Sequence, residues 1–74
     1  MKLSPKELDV LALVALGYSD KEIGRKLKIK YGTVRTHISR IIIKLQARNR
    51  GHAVLAYIQK TPEWITEFKK LKII

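Results

Sequence analysis

Residues 19–45, SDKEIGRKLKIKYGTVRTHISRIIIKL, divide into two helical patterns joined by three residues. Ser19 with Glu22 three positions on forms a capping box, which pairs two of the backbone N–H groups left open at a helix start. The helix it opens carries Ile23 and Leu27 as apolar positions, with Gly24 between them, where a small residue allows a second helix to cross closely. Lys28-Ile29-Lys30 is a tight connection with Ile29 as its apolar plug. From Tyr31 a second helix sets Val34, Ile38, Ile41 and Leu45 on one face, at the i, i+4, i+7, i+11 spacing of a single stripe. Arg35, Thr36, Ser39 and Arg40 fall on the opposite face. They are short, polar or basic side chains of the kind that read base edges in a DNA major groove.

Charge supports a polyanionic partner. The net charge is +10, and its distribution matters more than its total. No acid occurs between Glu22 and Glu63, an interval that holds Arg25, Lys26, Lys28, Lys30, Arg35, Arg40, Lys44, Arg48, Arg50 and Lys60. A one-sided basic field over a helical hairpin is an electrostatic footprint for nucleic acid. Seventy-four residues make one domain, near the lower limit for a single hydrophobic core. There is no cysteine, hence no disulfide and no thiolate metal site, which suits a reducing compartment. The longest apolar run, residues 10–16, is too short to span a bilayer, so no membrane role is expected. Scarce Asn, Gln and Met beside abundant Lys and Ile lean toward a thermophilic source.

The flanking segments are helical as well, and none alternates as a strand would. Ser4, Pro5 and Glu7 form a second capping box with proline at the first helical position, and Leu3 can staple onto Leu8. Leu8, Val10, Leu11, Leu13, Val14 and Leu16 occupy more than one stripe, so this first helix should be buried on two sides. Gly17 ends it in the left-handed conformation. Gly32, near the start of the second hairpin helix, either weakens that helix or lets a phosphate approach its backbone. Asn49 is expected to cap a helix over residues 50–59 whose Ala53, Val54 and Tyr57 suit a homodimer contact. Thr61-Pro62-Glu63 starts a fifth, amphipathic helix with Trp64, Ile65, Phe68 and Leu71 on one face, and Trp64 and Phe68 extend the expected dimer contact.

Several of these strings resemble the LuxR-type, or GerE-type, DNA-binding domain. Leu3-Ser4 through Val10-Leu11, Gly17-Tyr18-Ser19-Asp20-Lys21-Glu22-Ile23, Thr33-Val34-Arg35-Thr36-His37-Ile38-Ser39, Lys44-Leu45 and Arg48-Asn49-Arg50 follow the family's pattern in order. The resemblance covers residues 3–56. It implies a four-helix module that usually binds DNA as a dimer. Arg35, Thr36 and Ser39 then lie where the family touches base edges or adjacent phosphates, and Lys21, Thr33 and His37 where it touches the backbone or supports the helix. Departures occur at Lys30-Tyr31, where the family has a serine cap and an acid, at Gln46-Ala47 in place of Gly-Val, and at Arg40 in place of asparagine.

The expected architecture is all-α: a helix-turn-helix domain over residues 1–60, with a scaffold helix at 19–27, a recognition helix at 31–45 and a dimerisation helix at 50–59, followed by a helical extension at 61–74. The expected function is a stand-alone, sequence-specific regulator of transcription, homodimeric, cytoplasmic and associated with the nucleoid. Arg35, Thr36, Ser39 and Arg40 would contact bases. Lys21, Lys30, Tyr31, Thr33, His37, Lys44, Arg48 and Arg50 would contact phosphates. Two other readings stay open: a sequence-indifferent DNA coat, and a module that binds RNA polymerase or another regulator through Trp64, Ile65 and Phe68. No enzyme activity, metal or cofactor is expected, since neither His37 nor His52 sits in a carboxylate pattern and no serine lies in a nucleophile motif.

Overall fold

The computed structural model describes residues 2–64 and 66, and within them the chain is four helices: α1 (Pro5–Ala15), α2 (Asp20–Leu27), α3 (Tyr31–Lys44) and α4 (Arg50–Lys60). The all-α class expected from the periodicity is what is found. Among the described residues no helix is long and apolar enough to cross a membrane. The expected fifth helix falls largely outside the described residues, and Ile65, Phe68 and Leu71 with it.

Each helix boundary has a local cause. Ser4 and Ser19 both accept from the backbone N–H three residues on, at 3.2 Å, while Glu7 and Glu22 accept from the N–H of their serine at 2.8 Å. Both capping boxes are therefore complete. α1 closes in a Schellman motif: Gly17, at φ +94°, donates to the Val14 carbonyl and Tyr18 to that of Leu13. α2 ends on Lys28 in the left-handed conformation, φ 58°, and the Ile29 N–H returns to the Gly24 carbonyl at 3.0 Å. α3 begins at Lys30 with no side-chain cap, as its departure from the family's serine implies. It ends like α1, with Gln46 at φ 54° donating to Ile43 and Ala47 to Ile42. Asn49 caps α4 by accepting from the His52 N–H at 2.9 Å.

α1 is the centre of the packing. It touches the other three helices, and Val10, Leu11, Ala12 and Leu13 are all buried, which is why its apolar positions exceed one stripe. Ile23 of α2, Val34, Ile38 and Ile41 of α3 and Ala53 of α4 complete the core, with Ile29 and Leu45 packed at its edge. Leu3 and Leu8, the residues of the expected staple, line one groove together with Leu45 and Tyr57.

Gly24 has a sharper purpose than helix crossing. A Cβ there would stand 2.8 Å from the Ile29 carbonyl oxygen, so the α2–α3 turn closes directly over the glycine. That closure fixes how α3 leaves the domain.

Candidate nucleic-acid interface

α3 is held by one side and presents the other. Val34 and Ile41 are fully buried, and Ile38 nearly so. Arg35, Thr36, Ser39 and Arg40, all expected to contact bases, are exposed on the outer face together. The inner stripe fixes the helix's rotation, so it also fixes what the outer stripe offers.

Local contacts orient part of that face. The Arg35 guanidinium donates to the Tyr31 hydroxyl at 3.2 Å and lies 5.7 Å from the centre of the same ring. Tyr31 thus ties one turn of α3 to the next and holds Arg35 from below. The Thr36 hydroxyl donates to the Gly32 carbonyl at 3.0 Å, leaving its oxygen lone pairs outward. Above Gly32 there is open space.

The residues expected at phosphates separate into two groups. Lys21, Lys30, Thr33 and Arg48 are exposed, as is Tyr31. His37 is half-buried, and its Nδ1 is enclosed without a hydrogen-bond partner. Lys44 is half-buried and Arg50 is exposed, and each is paired with a carboxylate of the domain itself. The Lys44 ammonium stands 2.8 Å from Oε1 of Glu7, across α1 and α3, on a carboxylate whose side chain is 4% exposed. Arg50 makes two bonds to Asp20, at 2.6 and 3.2 Å, joining the first residue of α4 to the first of α2. Any phosphate contact by either cation would be made with a charge already shared with a carboxylate.

These pairs shift the acids. Burial pushes the Glu7 carboxyl up, but the Lys44 ammonium and the bonds to Ser4 outweigh it and hold the group below its ordinary 4.5. The Arg50 bond holds Asp20 below its ordinary 3.8, against a smaller opposing effect of burial, and the Arg35 charge adds to the lowering. Arg50 is raised in turn by Asp20.

Near the loop before α4, the Arg48 N–H donates to Nδ1 of His52 at 3.0 Å, which gives that histidine a place in the turn. Lys26 lies over the Tyr18 ring at 5.0 Å. On α4, Ala53 is fully buried in the domain's own core and presents no surface to a second chain. Val54 and Tyr57 are half-buried, Trp64 packs edge-on against Tyr57 with ring centres 4.8 Å apart, and Phe68 lies outside the described residues. The exposed large apolar residue of α4 is Leu55, at 60%, which the helical pattern alone does not single out. Neither ion pair is foreseeable from spacing: Glu7 and Lys44 are 37 positions apart, Asp20 and Arg50 are 30, and no local rule joins them.

Four helices with a core-locked α3 presenting a basic outer stripe define a helix-turn-helix DNA-binding domain. Residues 1–57 match the family model GerE, bacterial regulatory proteins of the luxR family, and the chain belongs to that family. It is similar to the transcriptional regulatory protein DesR of Bacillus subtilis (strain 168), 50% identical over 52 residues, covering 70% of this chain and 26% of the relative. It is also similar to the response regulator protein VraR of Staphylococcus aureus (strain NCTC 8325 / PS 47), 40% identical over 57 residues, covering 77% of this chain and 27% of the relative. The chain thus spans about a quarter of the length of the curated relatives it matches.

Proposed function

We propose that this chain is a sequence-specific, double-stranded-DNA-binding regulator of transcription that acts as a homodimer on nucleoid DNA in the cytoplasm. The observation that carries the reading is the outer stripe of α3, where Arg35, Thr36, Ser39 and Arg40 are exposed together on a helix whose other face is locked in the core. The acid-free interval between Glu22 and Glu63 surrounds that stripe with positive charge. Residues 1–60 act as the binding domain and 61–74 as its extension.

In this reading Arg35 bonds guanine in the major groove, with Thr36, Ser39 and Arg40 completing the base contacts. Lys21, Lys30, Tyr31, Thr33, His37 and Arg48 face the phosphate backbone and supply most of the affinity and its salt dependence. Lys44 and Arg50 serve the fold. The dimer contact is formed by α4 through Leu55, Val54 and Tyr57, so that two α3 helices reach half-sites about one helical turn apart. The reading includes no enzyme activity and no cofactor. RNA polymerase or another regulator is the partner through which bound protein would act.

Selection of the purified chain against a random duplex pool, followed by sequencing, tests this directly. An enriched inverted repeat is the expected result. Salt-sensitive binding without a motif would turn the reading to a DNA coat, and absence of binding at moderate salt would turn it to a protein partner. Arg35→Ala should then cost about 1–3 kcal/mol on the selected site and markedly less on random duplex. Equal losses on both would remove Arg35 from base readout.

A further inference from the structure

An acid at the centre of a DNA-facing basic surface is out of place by simple electrostatics, because a carboxylate beside a phosphate repels it. Asp20 is an acid bonded directly to one of the basic surface's cations, Arg50. It sits at the start of α2, next to Lys21, and its side chain is 13% exposed while that of its partner Arg50 is 44% exposed. The carboxylate is therefore the inner member and the guanidinium the outer one. Both carboxylate oxygens are used, at 2.6 and 3.2 Å, in the fork geometry that holds a guanidinium in one orientation. The Arg35 charge adds a smaller lowering of the same carboxyl's pKa.

We propose that Asp20 limits the sequence-independent affinity of this surface, by acting as an internal counter-anion that keeps Arg50 off the DNA phosphates. The proposal rests on the DNA-binding reading above and deepens it. Binding that ignores sequence is driven by cations that replace the counterions condensed on DNA, each contributing about 0.9 to the slope of log K against log salt. A guanidinium already neutralised by a fixed carboxylate releases no such counterion. Arg50 then contributes rigidity to the α2–α4 junction, and contacts to base edges carry a larger share of the total.

The test is the salt dependence of binding to a random duplex, measured for the full chain, for Asp20→Asn and for the double variant Asp20→Asn/Arg50→Gln, with helicity by circular dichroism as a folding control. The amide introduced by Asp20→Asn can still accept a bond from Arg50 but carries no charge. For Asp20→Asn the slope is expected to steepen by about 0.9, so that roughly 3-fold more affinity is lost between about 50 and 200 mM salt, with tighter binding at the low end. For the double variant Asp20→Asn/Arg50→Gln, which removes the pair without uncovering a lone carboxylate, the slope is expected to equal that of the parent. Two results overturn the proposal: an unchanged slope in Asp20→Asn, or a slope shallower by about 0.9 in the double variant. A parent chain that binds no duplex at all fails the DNA-binding reading itself, and so is distinguishable from either. Should Asp20→Asn fold poorly, Asp20→Ser, which also removes the charge and keeps Arg50, carries the same expectation.

Discussion

Gly24 and Gln46 mark two turns in which the backbone, and not the side chain, sets the requirement. At Gly24 a methyl group would meet the Ile29 carbonyl oxygen at 2.8 Å, and because that oxygen belongs to the turn's own backbone it cannot rotate away. Alanine at 24 gains helix propensity of about 1 kcal/mol yet must force the α2–α3 turn open. We expect Gly24→Ala to be destabilising by about 1–3 kcal/mol net, the range of an overpacked core site, as measured by urea unfolding. A more stable variant would mean the turn is not closed over this residue. Gln46 presents the reverse case. It holds φ 54° at the end of α3, where a side chain costs about 1–2 kcal/mol, and it stands where the family pattern has glycine. Gln46→Gly relieves that strain at an entropic cost of about 0.5–1 kcal/mol, so a net gain of about 0.5–1 kcal/mol is expected. A lowered melting temperature would show that the Gln46 side chain makes a contribution larger than its strain.

At the scale of the element, α3 illustrates what a local pattern can and cannot disclose. Its inner and outer stripes follow from the 3.6-residue period alone, and the absence of a cap follows from Lys30 standing in the family's serine position, so the exposed face of α3 is legible in the sequence. The end of α1 is equally legible, because Gly17 meets the conformational demand of a Schellman turn. The conformation of Gln46 is legible only through the glycine that the family pattern has there, since nothing in the residue type itself announces a left-handed backbone. The pairing of Lys44 and Arg50 with carboxylates is not legible, since Glu7–Lys44 and Asp20–Arg50 are joined only by the folded chain. At Gly32 the sequence admits both a weak helix position and a phosphate approach. The structure gives it open space, so a methyl group there meets nothing. Gly32→Ala is therefore expected to be stabilising by up to about 1 kcal/mol in thermal unfolding. The DNA affinity of the same variant separates the two roles: a folded, more stable protein that binds less tightly identifies Gly32 as a point of close phosphate approach, and unchanged binding removes that reading.

For the whole molecule, the longest-range tie among the described ion pairs is the bridge from Glu7 on α1 to Lys44 at the last turn of α3. It closes the domain across 37 positions of sequence and does so with a carboxylate almost withdrawn from water. Glu7 also completes the α1 capping box, so its charge and its hydrogen-bonding role must be separated. Glutamine separates them, since an amide can still accept the Ser4 N–H. Glu7→Gln leaves the half-buried Lys44 ammonium without its counter-ion, and a cost of about 1–3 kcal/mol at neutral pH is expected. The pH dependence identifies the source of that cost. The folded-state pKa of Glu7 lies below its ordinary 4.5, so the unfolded chain binds the proton more readily. The stabilisation is therefore complete well above 4.5 and lost as pH falls through the lower, folded value. Asp20 behaves in the same sense from its ordinary 3.8, so the parent protein should lose stability on acidification through this region. Glu7→Gln has no carboxyl to titrate at this position, so the stability gap between it and the parent should be constant above about pH 5.5 and close as the parent's Glu7 takes up its proton. Urea unfolding of both proteins at neutral pH, at about pH 4.5 and at about pH 3 measures the gap. A difference that persists undiminished at the lowest pH would assign the cost to the geometry of the cap, and the bridge would then contribute nothing through its charge.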